Sequence, residues 1–208
     1  MNGTYKDRVE ARIRELQTAP GISVRKYEVA APAPRSIVDA VRTEAGGHLP
    51  AGVEDFYTQV NGLTLEWSYL APGSEGEPAD QGSVNILPLE NVFSNWKDAI
   101  WFDSFTGGDR FRAVKPFDLY IPEACAAFRQ PLGEPAEDTL YFHYIGESLT
   151  ELPLTFTQYV DQALNTCGYL GWHSLLSSNT PGSNLTLLRM RDIIPGFTDH
   201  LFRRLHKL

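Results

Sequence analysis

Residues 51–69 hold two different periodicities with an Asn-Gly pair between them. Val53, Phe56, Tyr57 and Val60 recur at three- and four-residue spacing, the mark of one helix face. From Leu63 to Tyr69, the apolar Leu63, Leu65, Trp67 and Tyr69 alternate with Thr64, Glu66 and Ser68, the period of a half-buried strand. Asn61-Gly62 separates the two because both residues tolerate the positive φ that ends a helix. Helix and strand are therefore both expected within this one stretch.

The same reading extends along the chain. Tyr5–Gln17 carries Val9, Ile13 and Leu16 at helical spacing and stops at Ala19-Pro20-Gly21. Ile22–Val29 reads as a short strand and Ala31-Pro32-Ala33-Pro34 as a stiff connector. Ser36–Ala45, with Ile37, Val38 and Val41, is a second helix ending at Gly46-Gly47. Leu49-Pro50 opens the third, over about 51–60. Gly82–Leu89 reads as a strand, followed by a short helical or irregular piece over about 92–101. Further strands are expected at Phe111–Lys115, Leu119–Ile121, Cys125–Arg129 and Leu140–Ile145, with an acidic turn over 130–138. Thr155 is placed to cap a helix running to about Thr166. A turn at 177–184 precedes two helices, 184–194 and 197–208, broken at Pro195-Gly196.

Charge narrows the class of partner. The 208 residues include 18 Lys and Arg against 26 Asp and Glu, a formal charge of −8. Residues 54–151 alone hold 17 acids against five bases, a net −12, while the rest of the chain is mildly basic. General nucleic-acid binding needs clustered cations to displace phosphate counterions, so it is disfavoured. A basic protein partner fits better, although an acidic surface also serves solubility. No apolar leader and no membrane-length apolar run is present, so a cytoplasmic protein that engages no membrane is expected. The two cysteines, Cys125 and Cys167, can form no disulfide framework or four-cysteine zinc site and read as buried thiols in a reducing compartment.

The motifs of common chemistries are missing. There is no phosphate-binding Gly-rich loop, no dinucleotide fingerprint and no His-Glu-x-x-His. Gly107-Gly108-Asp109 reads as a turn. Gly146-Glu147-Ser148 approaches a nucleophile elbow, but Thr150 stands where the final Gly belongs and Leu152-Pro153 leaves no room for the supporting helix. Cys125 or Cys167 with His143 has the groups for nucleophile and base, without supporting spacing. No catalytic residue, metal ligand or cofactor is expected. The acids divide into Glu54 and Asp55 in the first turn of a helix, where the dipole favours them, and two loop groups: Glu75, Glu77 and Asp80; Glu134, Glu137 and Asp138. Catalytic carboxylates need a rigid, partly buried surround, so the six loop acids, read as lying in flexible loops, are expected to meet solvent or a partner.

The segment Glu44–Gly62 resembles the signature of the SUKH superfamily, which holds a fungal cell-wall-synthesis regulator and many bacterial relatives. That signature is a helix, a Gly, Leu-Pro, a helix with a central aromatic, and a closing Asn-Gly. Here the parts are Leu49-Pro50, Phe56-Tyr57 and Asn61-Gly62. Gly82–Leu89 is similar to the family's strand before a Leu-Pro-Leu turn, Thr139–Tyr144 to its late strand, and Leu154–Val160 to its closing helix. The resemblance covers roughly 36–176 of what reads as one domain over 1–208, with the N-terminal helix and a helical extension over 184–208 outside it.

It implies an α+β fold: a single mostly antiparallel or mixed sheet with helices packed against it, plus extra C-terminal helices. It also implies a non-enzymatic protein-binding module. Many bacterial members are similar to immunity proteins that neutralise a toxin, often a nuclease. The expectation is thus an immunity protein that meets a cognate toxin, or another basic partner, through Glu54, Asp55, Glu75, Glu77, Asp80, Glu134, Glu137 and Asp138. The alternative is an intracellular regulatory or scaffold protein of the same fold with no toxin partner.

Overall fold

The computed structural model describes residues 3–105, 108–176 and 185–206. The turn expected at 177–184, Gly107 and Leu208 lie outside them. The fold is α+β, with seven strands hydrogen-bonded in chain order: β1 (Ile22–Val29), β2 (Leu63–Tyr69), β3 (Asp80–Ile86), β4 (Val114–Ile121), β5 (Ala124–Arg129), β6 (Leu140–Tyr144) and β7 (Ser148–Leu152). From β3 onward each strand pairs antiparallel with the next. The described helices are α1 (Tyr5–Thr18), α2 (Arg35–Glu44), α3 (Val53–Tyr57), α4 (Leu89–Val92), α5 (Gly108–Arg112), α6 (Phe156–Thr166), α7 (Leu185–Ile193) and α8 (His200–His206), with a 3-10 turn at Trp172–Leu176. The chain divides into two compact units, residues 1–28, 64–84 and 160–208, and residues 29–63 and 85–159.

In the first unit, α1 begins at a capping box, with Thr4 and Asp7 satisfying each other's backbone N–H groups. It buries Tyr5, Val9, Ile13 and Leu16, the face its spacing predicts. Trp67 is fully buried, and its indole Nε1 donates to the carbonyl of Cys167 at 2.7 Å. Gly82 lies where a Cβ would run into the Trp67 ring, so only glycine fits. The C-terminal helices bury Leu187, Met190 and Phe202. Trp67→Phe removes the one donor of the indole and leaves the Cys167 carbonyl unmet. A cost of about 2 kcal/mol is expected in urea unfolding.

The second unit is built on an aromatic cluster. Phe117 lies 4.9 Å from Phe128, 4.9 Å from Tyr159 and 5.3 Å from Phe156, ring centre to ring centre. Phe56 meets Tyr57 edge-on at 5.0 Å and Phe156 at 5.6 Å. The aromatic pair at the centre of the Leu-Pro to Asn-Gly segment is thus a packing element, fully buried. Asn61 does more than end a helix. Its Oδ1 accepts the Leu89 N–H at 2.8 Å and its amide donates to Glu90 at 3.0 Å, which fixes the start of α4.

Several boundaries differ from the sequence reading. The third helix is shorter than 51–60, because Gly52 takes a φ of +85° and the α-helix starts only at Val53. The expected strand Phe111–Lys115 is split: Phe111 ends up in α5, and β4 runs on from Val114 to absorb the piece at Leu119–Ile121. Pro116 lies inside β4, and the register shifts on both sides of Asp118, as a strand holding a residue with no N–H requires. β7 was not foreseen. It pairs back on β6 through the three residues Ile145-Gly146-Glu147, with Gly146 at φ +78°.

Candidate functional site

Within the second unit, the acidic turn over 130–138 is tied down along its length. Gln130 N donates to Ala113 O at 2.7 Å, Glu134 N to Pro131 O at 3.0 Å, Ala136 N to Ala45 O at 2.9 Å and Glu137 N to Arg129 O at 2.8 Å. The Gln130 amide donates to Glu44 O at 2.7 Å, and the Asp138 carboxylate accepts the Ala51 N–H at 2.7 Å. Gly46 makes this docking feasible, since a Cβ there would stand 2.7 Å from the Pro135 Cα. The turn is therefore held against the end of α2 and the entry to α3. Its tip carries Leu132, fully exposed at 103%, beside exposed Glu134.

The eight expected contact acids do not share one environment. Glu54 is met by Arg35 at 2.8 Å and Arg42 at 2.7 Å. Asp55 is exposed, its Oδ1 accepting from the Gln59 amide at 3.0 Å. Glu137 lies 3.4 Å from Arg129 and accepts the Tyr141 hydroxyl at 3.1 Å. Glu134 and Asp138 face solvent. In the first unit, Glu75 and Glu77 are exposed in the loop after β2. Asp80 corrects the surface expectation: it is only 7% exposed and is bound by the Arg189 guanidinium and the Tyr169 hydroxyl. Burial alone would raise its carboxyl, but those two donors hold it below the usual carboxylate range. Its place at the start of β3, not in the preceding loop, turns it inward. Asp55, Glu75, Glu77, Glu134 and Asp138 remain as outward charges.

Burial shifts the enclosed cysteines and histidines toward their neutral forms. Strand pairing sets Cys125 opposite His143. Burial pushes the Cys125 thiol far up and the His143 imidazole down, so neither a thiolate nor an imidazolium is favoured. The His143 Nδ1–H donates to Ser148 O at 2.8 Å. Cys167 is buried and its thiol is pushed up to about 12 by that burial. His173, its ring tilted by 31° against that of Trp172 at 4.1 Å, is pushed down to about 3 by burial. Among the described residues no three His, Cys, Asp or Glu gather as a metal site, and no helix is long and apolar enough to cross a membrane.

Asp118 escaped the sequence reading. It is 2% exposed, accepts the Asn85 N–H at 2.8 Å and the Tyr159 hydroxyl at 2.8 Å, and burial pushes its carboxyl up to about 6 against the pull of those two bonds. A lone acid between Phe117 and Leu119 was the available signal. Leu132 was missed because an isolated apolar residue in a polar turn carries no period. No family model matches the chain, and no curated protein matches it in sequence.

Proposed function

We propose that the chain is a protein-binding module of the SUKH type, and within that class an immunity protein that neutralises a basic toxin. The observation that carries this reading is the ordered acidic turn over 130–138. It is held in place by five hydrogen bonds to residues outside it, two of them through the Gln130 and Asp138 side chains, and by one within it, while Leu132, Glu134 and the rim of Asp138 face outward. A surface ordered in advance loses little conformational entropy on binding. An exposed apolar tip with an exposed acid beside it combines a residue that slows dissociation with a charge that speeds encounter. The net −12 of residues 54–151 supplies the long-range field for a cationic partner. The regulatory reading would use the same surface on a host protein.

Rates separate charge from shape. Against the product of the adjacent gene, Asp55→Lys with Glu134→Lys is expected to slow association about tenfold at low salt and to flatten its salt dependence. Leu132→Asp is expected mainly to speed dissociation. Association unchanged in the double variant at low salt would remove this surface from the interface.

A further inference from the structure

The second unit carries five cations between residues 54 and 151, and three of them, Arg112, Lys115 and Arg129, line a single cavity of about 690 Å3. Its apolar walls are Phe93 and Trp101, and the Pro131–Gly133 turn forms part of its lining. That volume falls within the range of small-molecule sites, which pair apolar walls with a few convergent polar groups. We propose that this cavity binds a small organic anion: an aromatic or similarly flat body carrying a phosphate or carboxylate.

The three cations differ in how far their charge is already met. Arg112 stands over the Trp101 ring at 5.0 Å and lies 3.6 Å from Asp103. Arg129 faces Glu137 at 3.4 Å, yet its Nε is buried with no hydrogen-bond acceptor among the described residues. Lys115 is half-buried, and its ammonium donates to two backbone carbonyls, Phe93 O at 3.3 Å and Ser94 O at 2.9 Å. No carboxylate of the described residues lies within ion-pair distance of it. An ammonium has three N–H groups, so one is left for a ligand. Burial lowers the Lys115 ammonium below the usual lysine range, with only Glu44 pulling it back; a bound anion would supply the missing counter-charge. A flat body would lie against the outer face of the Arg112 guanidinium, which is itself seated on Trp101 and stacks on planar groups as lysine does not. A half-buried ammonium, a second arginine and an arginine–aromatic stack line one space within a strongly acidic region, and solubility alone does not ask for that.

The probes are phenyl phosphate, inorganic phosphate and phenol, titrated calorimetrically into the whole protein. Phenyl phosphate is expected to bind saturably in the micromolar to low-millimolar range, at least tenfold more tightly than inorganic phosphate, with phenol showing no saturation. Lys115→Met is expected to weaken phenyl phosphate at least tenfold. Lys115 also holds the carbonyls of Phe93 and Ser94, so the exposed Arg112→Gln serves as the second variant, with a loss of several-fold and an unchanged unfolding midpoint. No saturable binding of phenyl phosphate would overturn the proposal. So would affinity unchanged in Arg112→Gln and in a folded Lys115→Met, and equal affinity for phenyl and inorganic phosphate would overturn the aromatic part of the assignment.

Discussion

Raising the pH from about 4 to about 6 is expected to cost the protein about 2 kcal/mol through Asp118 alone. Its carboxyl sits near 3.8 when exposed and is pushed up to about 6 by burial in the folded chain. The native state therefore holds a proton that the unfolded state has released across that window. The contribution is whole below the exposed value and is gone once the pH has risen past about 6. Carboxylates held low by their partners, such as Asp80, tilt the wild-type curve the other way. The readout is therefore the difference between wild type and Asp118→Asn in urea unfolding. The asparagine can still accept the Asn85 N–H, and its neutral amide carries no charge to desolvate. The two proteins are expected to be of similar stability near pH 4, with Asp118→Asn ahead by about 3 kcal/mol above pH 7. Parallel curves would mean that Asp118 titrates normally and is reached by water.

Arg12→Met is expected to destabilise the first unit by about 3 kcal/mol. Arg12 projects from α1 with its side chain only 12% exposed. Nε donates to Leu164 O at 2.9 Å and Nη2 to Asn165 O at 3.0 Å, the last carbonyls of α6, while Nη1 reaches Pro195 O and Glu15. A cation at a helix C-terminus meets both the unpaired carbonyls and the negative end of the dipole. Methionine keeps the aliphatic stem and abandons all of these acceptors. Arg12→Lys is expected to recover less than half of the loss, since an ammonium cannot spread over divergent carbonyls as a planar fork does. Urea midpoints at constant m-value check both. A loss under about 1 kcal/mol in Arg12→Met would reduce this contact to a surface ion pair.

Where a segment buries a face with a clean period, the sequence was enough. Val9, Ile13 and Leu16 on α1, the alternation of β2 from Leu63 to Trp67, and Phe156 and Tyr159 on α6 are legible because burial and spacing coincide; at the end of β2 they part, Ser68 being buried and Tyr69 only partly so. The strands around Pro116 were not, because a proline within a strand is tolerated only through shifted register, which long-range pairing decides. β7 was hidden for a related reason: Ser148, Thr150 and Glu151 are exposed, so its pairing with β6 leaves almost no apolar signature. Of the surface acids, Asp55 and Glu134 could be placed in solvent from their neighbours in sequence. Glu54, Asp80 and Glu137 could not, because Arg35 and Arg42, Arg189, and Arg129 meet them from elsewhere in the chain. The ordering of the 130–138 turn rests on Ala45, Ala51 and Gly46, more than 80 residues away, and no local pattern announces it.

On the proposed reading, the acidic turn of this chain captures a basic protein. Coexpression with the product of the adjacent gene, followed by size-exclusion chromatography of the purified material, tests it most directly. A one-to-one complex that lifts the toxicity of the second protein, and that dissociates when Glu134→Lys and Leu132→Asp are combined, is the predicted result. Two proteins that elute apart, or a complex indifferent to that double variant, would contradict the account.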